Sequence, residues 1–197
     1  MRLPIDDHSF DQFLRDDLRD VSAMYWTPLA VIARAAEWLD DVDAKTVLDI
    51  GSGAGKFCVG SALASRARFV GLEHRASLVG AARKLARLFD VEERVMFVHA
   101  ALDHDLVVEA DALYLHNPFG ENLFPASEQL DSNVELSDAR YLRDVASVEH
   151  RLHNAAPGTH LLSYGGFGGA IPNSYQEVRV DSTLPSVLRM WQKRAQV

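Results

Sequence analysis

The chain has 197 residues, 48% of them hydrophobic and 24% charged, with a net charge of −8. That length and balance suit one globular domain with a sizeable core and exclude a disordered or fibrous chain. The acidic total argues against a duplex-binding protein and leaves a nucleic-acid substrate open. No run reaches the roughly 18–20 apolar residues of a membrane helix, and residues 1–7 lack a signal-peptide core, so a cytoplasmic protein is expected. The lone Cys58 fits a reducing compartment and reads as a small core residue.

Taken in order, the elements alternate. Residues 9–24 space Phe10, Phe13, Leu14, Leu18 and Val21 as one amphipathic helix. Thr27-Pro28 reads as a helix start, with threonine as N-cap, and that helix runs through Leu29, Ile32, Ala36 and Leu39. Residues 46–50 form a short buried strand that ends in a glycine turn, and a helix follows over 55–65. A second strand spans 68–72 and ends at Glu73, followed by a helix over 76–89. Strands are expected at 94–99 and 111–116, the latter breaking at Asn117-Pro118-Phe119-Gly120. Residues 119–136 look polar and loop-like. Ser137 caps a long helix to about Asn154, with Tyr141, Leu142, Val145, Val148 and Leu152 as its apolar face. After a strand at 159–164 and a run of glycines at 165–169, strands at 175–181 and 186–192 close the chain. The spacing predicts an α/β fold with a mostly parallel sheet, helices on both faces and an antiparallel C-terminal hairpin.

The glycine turn carries the most chemistry. Gly51, Gly53 and Gly55 follow Asp49 as acid then G-x-G-x-G, whereas the dinucleotide fingerprint needs glycine where Lys56 stands. A phosphate-cradling loop also fails, because Ile50 replaces its first glycine and Phe57 follows Lys56. The turn therefore suits close backbone approach to a ligand without a pyrophosphate. Glu73, at the end of the second strand, stands where an acid can accept both hydroxyls of a ribose.

Together, Asp49 with the glycine turn, Glu73, and Asn117-Pro118-Phe119 resemble the class I, Rossmann-like S-adenosylmethionine-dependent methyltransferases over about residues 25–192. The resemblance implies a seven-stranded sheet, S-adenosyl-L-methionine as cofactor and S-adenosyl-L-homocysteine as product. It assigns the cofactor to Asp49, Gly51, Ser52, Gly53, Gly55, Glu73, His74 and Asn117. Adenine falls to Asp103 or to the backbone at Ala101 and Leu102, and Tyr25 and Thr27 belong to a segment lying over the cofactor. In relatives that methylate planar amino groups, a polar residue and an aromatic at the turn after the fourth strand hold the acceptor. Asn117 and Phe119 match that pattern, although one proline stands where those relatives have two. The same stretch also resembles the loop of the non-SET histone-lysine methyltransferases.

His116 abuts Asn117 and is a candidate proton acceptor, with a packed strand-end residue as the alternative. His150, His153 and His160 read as a solvated face, not a metal site. One domain is expected, with residues 1–44 covering the cofactor cleft and 45–197 forming the core, as monomer or homodimer. Transfer to nitrogen is favoured over oxygen, and the loops at 119–134 and 164–173 are expected to wall the acceptor pocket, the second with mobile glycines. The acceptor (protein, RNA or small molecule) is left open. A cofactor-binding module without transfer, and an NAD-dependent oxidoreductase on a similar sheet, are the alternatives.

Overall fold

The structure, a computed structural model, describes residues 6–103, 108–130 and 133–195. Three short helices open it: α1 (Asp7–Asp11), α2 (Asp16–Asp20) and α3 (Ser22–Tyr25). Then follow α4 (Leu29–Asp41), β1 (Thr46–Ile50), α5 (Lys56–Ala64), β2 (Arg68–Glu73), α6 (Ala76–Leu88), β3 (Val95–His99) and β4 (Ala112–His116). The chain closes with α7 (Asp138–Asn154), β5 (His160–Tyr164), β6 (Tyr175–Asp181) and β7 (Leu188–Lys193).

The seven strands form one sheet in the order β3-β2-β1-β4-β5-β7-β6. β1 pairs in parallel with both β2 and β4, so the strand order reverses between β1 and β4. β7 runs antiparallel between β5 and β6, giving the expected closing hairpin. Central β1 is buried from Val47 to Ile50, as a strand covered on both faces must be, and so reads as a nearly continuous apolar run. Two apolar cores lie against the sheet. One joins α4, α5 and α6 to the N-terminal segment through Ile32, Phe57, Leu85 and Phe10. The other packs α7 onto Leu48, Leu113 and Leu161 through Val148 and Leu152.

Three local expectations are corrected. The single helix over 9–24 is broken into three, because tertiary contacts outweigh the helical spacing. Arg15 is extended, Asp6 caps α1 by accepting the Ser9 N–H at 2.8 Å, and the bend lets Phe10 stack on Phe89 with centroids 4.9 Å apart. Thr27 is not an N-cap. Pro28 holds that position without a side-chain cap bond, and Asp7 accepts the Leu29 N–H at 3.0 Å instead. Leu142 lies outside the buried face of α7, at 66% exposure. Ser137 does cap α7, accepting the Arg140 N–H at 3.1 Å, a contact worth about 1 kcal/mol.

Candidate active site

The glycine turn leaves the carboxyl end of β1 beside the turn after β4, at the point where the strand order reverses. Ligands of open α/β sheets bind at such a point. Gly51, Gly53 and Gly55 have φ of +75°, +54° and +82°, a region where side chains are strained. A Cβ at Gly51 would come 2.6 Å from the Pro118 side chain, and one at Gly53 would come 2.4 Å from the Trp26 ring. The close approach expected of a ligand is made here by Pro118 and Trp26.

Glu73 ends β2 fully inside the protein, 1% exposed. Its Oε2 accepts the Gly53 N–H at 3.0 Å, which ties the acid to the glycine turn. Arg75 takes the rest of the carboxylate. Its backbone N–H and Nε donate to Oε1, each at 2.9 Å, and Nη2 donates to Oε2 at 3.2 Å. The other arm of Arg75 pairs with Glu121. Burial pushes the Glu73 carboxyl up, but the Arg75 charge and hydrogen bonds outweigh it and leave Glu73 below the usual carboxylate range. Burial likewise opposes the charge on Arg75, and Glu73 and Glu121 overcome it and raise its pKa.

Beside Glu73 lies an apolar slot of about 20 Å³ whose lining includes Leu72, His74, Ala101, Leu102 and Phe119. Phe119 is 7% exposed and packs in the core beneath this slot with Leu102 and Val148. The side chain lines this slot and is not among the residues around the mouth at Asn117. Asp103 is exposed and is not among the residues lining the slot, whereas Ala101 and Leu102 are. His74 stands 3.5 Å from Glu73, and its Nε2 is buried without a hydrogen-bond partner.

On the other side of the glycine turn, Asp49, Ser52, Tyr25, Thr27, Tyr114 and His116 line a second pocket of about 20 Å³. Burial pushes the Asp49 carboxyl up to about 7, and Cys58 Sγ donates to it at 3.2 Å. Thr27 Oγ1 lies 3.0 Å from the Tyr114 hydroxyl and 3.2 Å from His116 Nδ1, so threonine positions the histidine ring. Burial lowers the His116 pKa to about 4, which leaves the imidazole neutral near pH 7. The Ser52 hydroxyl is buried without a partner.

Trp26, Arg75, His116, Asn117, Glu121 and Phe124 are among the residues around a mouth of about 70 Å³. Asn117 is exposed in this mouth with φ of +39°, a conformation asparagine tolerates better than most residues. Its N–H donates to the Gly166 carbonyl at 2.9 Å. The glycine loop is pinned against α7: a Cβ at Gly168 would overlap the Tyr141 hydroxyl, and Ala170 N–H donates to Glu149 at 2.7 Å. The 119–134 segment forms two short 3-10 turns, Gly120–Leu123 and Ala126–Glu128, and residues 131–132 of it lie outside the described residues.

Sequence reading missed Arg75, Glu121, Lys56 and Tyr114. Lys56 is 2% exposed at its side chain and pairs with Asp7 at 2.6 Å and Asp11 at 2.7 Å, fastening α1 to the glycine turn. An acid–x–arginine triplet at a buried strand end was the available signal for Arg75. A larger cavity of about 490 Å³ opens at the opposite edge of the sheet, beside Thr46, Asp111 and Thr159. It contains none of the motif residues.

Comparisons agree with this geometry. The family model for protein-L-isoaspartate(D-aspartate) O-methyltransferase matches residues 20–111, just under half of the chain. The match takes in the glycine turn and Glu73 and stops before β4. No curated protein matches the sequence. Among solved structures, an RNA methyltransferase from Salinibacter ruber in complex with S-adenosyl-L-homocysteine superimposes with a TM-score of 0.62 at 22% identity, covering 87% of this chain and 95% of that one. A methyltransferase from Podospora anserina bound to the same product gives 0.65 at 11% identity over 99% and 90%. An O-methyltransferase from Bacillus cereus gives 0.63 at 14% identity over 95% and 91%. The chain therefore has the fold of the class I, Rossmann-like S-adenosylmethionine-dependent methyltransferases.

Proposed function

We propose that the chain transfers a methyl group from S-adenosylmethionine to a nitrogen atom of an acceptor held at Asn117. One observation carries the reading. The glycine turn and the Asn117-Pro118 turn touch at the reversal of strand order, with buried Glu73 bonded to Gly53 beside them. The similar solved structures from Salinibacter ruber and Bacillus cereus hold S-adenosyl-L-homocysteine. The donor set here fits that molecule: an acid for ribose hydroxyls, an apolar slot at Leu102 and Phe119 for a flat base, and unpartnered Ser52 and His74 atoms close by. When bound, the cofactor supplies an electrophilic methyl group.

The protein's own part is positioning and proton handling. The Asn117 side chain orients the acceptor nitrogen, and such alignment supplies much of the rate of a displacement reaction. Neutral His116, its ring held by Thr27, which also contacts the Tyr114 hydroxyl, accepts the proton that the nitrogen loses. Tyr25, Trp26 and Phe124 shield the mouth from water. Oxygen transfer is the second reading, favoured by the O-methyltransferase family model. That match ends at Asp111, short of the transfer turn, and so bears on the cofactor half alone.

Calorimetry with S-adenosylhomocysteine and with NAD separates this reading from an oxidoreductase: the first should bind and the second should not. Labelled-methyl transfer to fractionated protein, RNA and metabolites then identifies the acceptor. Asn117→Gly retains the positive φ and deletes the side chain. It should lower turnover at least about tenfold and leave S-adenosylhomocysteine affinity nearly intact, the pattern of a lost transition-state contact. Unchanged turnover would remove Asn117 from the mechanism.

A further inference from the structure

A carboxylate offers about four lone-pair directions, and those of Glu73 are taken up by Arg75 and the Gly53 N–H, with His74 adjoining. Arg75 and Glu121 are 6% and 8% exposed, so this pairing lies in the interior. Glu121 belongs to the 3-10 turn directly after the transfer turn. Its second oxygen accepts the Leu130 N–H at 2.5 Å. One buried guanidinium therefore ties the end of β2 to both ends of the 120–130 segment, which borders the acceptor mouth through Glu121 and Phe124.

The three clefts along this edge measure about 20, 20 and 70 Å³, against roughly 300–1,000 Å³ for pockets that hold small molecules. Ribose and the Arg75 guanidinium would need the same oxygens of Glu73. We propose that Arg75 is a latch: the cofactor ribose displaces it from Glu73, the displaced arginine loosens Glu121, and the 120–130 segment opens the acceptor mouth. Cofactor then enters before acceptor. The inference rests on reading Glu73 as the ribose acceptor.

Two conservative variants test it. Glu121→Gln keeps the shape and an oxygen for Leu130 but removes the charge that helps hold Arg75. Arg75→Lys keeps a cation but loses the fork that grips Glu73. Each should bind S-adenosylhomocysteine about tenfold more tightly by calorimetry, equivalent to about 1.4 kcal/mol, because less is displaced on binding. A merely structural pairing would lower thermal stability without tightening binding. Hydrogen exchange of 120–130 provides the second reading. It should quicken when the wild-type chain binds S-adenosylhomocysteine and should be quick in Glu121→Gln without ligand. Binding by the wild type with no tightening in either variant, or slower exchange of 120–130 on binding, overturns the latch alone. Absence of binding in all three chains overturns the ribose role of Glu73 together with the latch.

Discussion

If Asp49 meets the cofactor as proposed, its burial ties cofactor binding to pH. It sits 3% exposed beneath the glycine turn, and its pKa is raised to about 7, first by burial and also by the nearby charge of Glu73. Below pH 7 the carboxyl is protonated and has no charge to offer. A cation such as the ammonium of S-adenosylhomocysteine favours the ionised form, so binding it releases a proton. Affinity should then rise with pH by up to about tenfold per unit below 7 and level off above it. Calorimetry in buffers of different ionisation enthalpy should detect the released proton near pH 6.5. Asp49→Asn should bind with no such pH dependence, and a pH-independent wild type would place the ammonium away from Asp49.

At the scale of elements, the N-terminal helices are held by a side chain from elsewhere. Lys56 at the start of α5 pairs with Asp7 and Asp11, lies 3.2 Å from Ser22 Oγ, and sits over the Phe10 ring. Lys56→Met would leave the Asp11 carboxylate, 10% exposed at its side chain, buried without its cation. Removing one partner of a buried pair costs about 3–5 kcal/mol. Denaturant unfolding should show a loss at the lower end of that range, since Asp7 is half exposed, and proteolysis should cut first within α1 to α3. A loss below about 0.5 kcal/mol, the size of an ordinary surface change, would contradict the fastening role. The same contact explains what was legible in the sequence. β1, the glycine turn and α5 are set by neighbours in the chain, so spacing alone located them. The breaks between α1, α2 and α3 are set by Lys56 and Phe89, both more than 30 residues away, and helical spacing hid them. Likewise Glu73 could be read from its place at a strand end, and its pairing with Arg75 left the acid–x–arginine triplet as a local sign, whereas the Arg75–Glu121 pair spans 46 residues and leaves no local pattern. The packing of Phe119 into the slot beside Glu73 was not legible, since a turn motif does not reveal which way its ring packs.

For the whole molecule, the apolar core on the α4–α6 face runs without a break from the N-terminal segment into the sheet. Phe10, Leu14 and Leu18 are buried at 0%, 6% and 3% exposure, and they share a cluster with Phe89, Val91 and Ala54. Trp26 closes that cluster over Gly53, and its Nε1 donates to the Leu18 carbonyl at 2.8 Å. The covering segment and the core should therefore unfold as a single cooperative unit. Tryptophan fluorescence and far-ultraviolet circular dichroism should give coincident transitions, the mark of two-state behaviour. Deleting residues 1–26 removes four large side chains from this core. Large-to-small changes at such positions cost about 2–5 kcal/mol each, so their sum reaches the whole stability of a typical domain, about 5–15 kcal/mol. The shortened chain should show no cooperative melt near the temperature of the intact one. If it melted cooperatively within a few degrees of the intact chain, residues 1–26 would be a separable cover, and site closure by Tyr25 and Trp26 would be a docking event independent of folding.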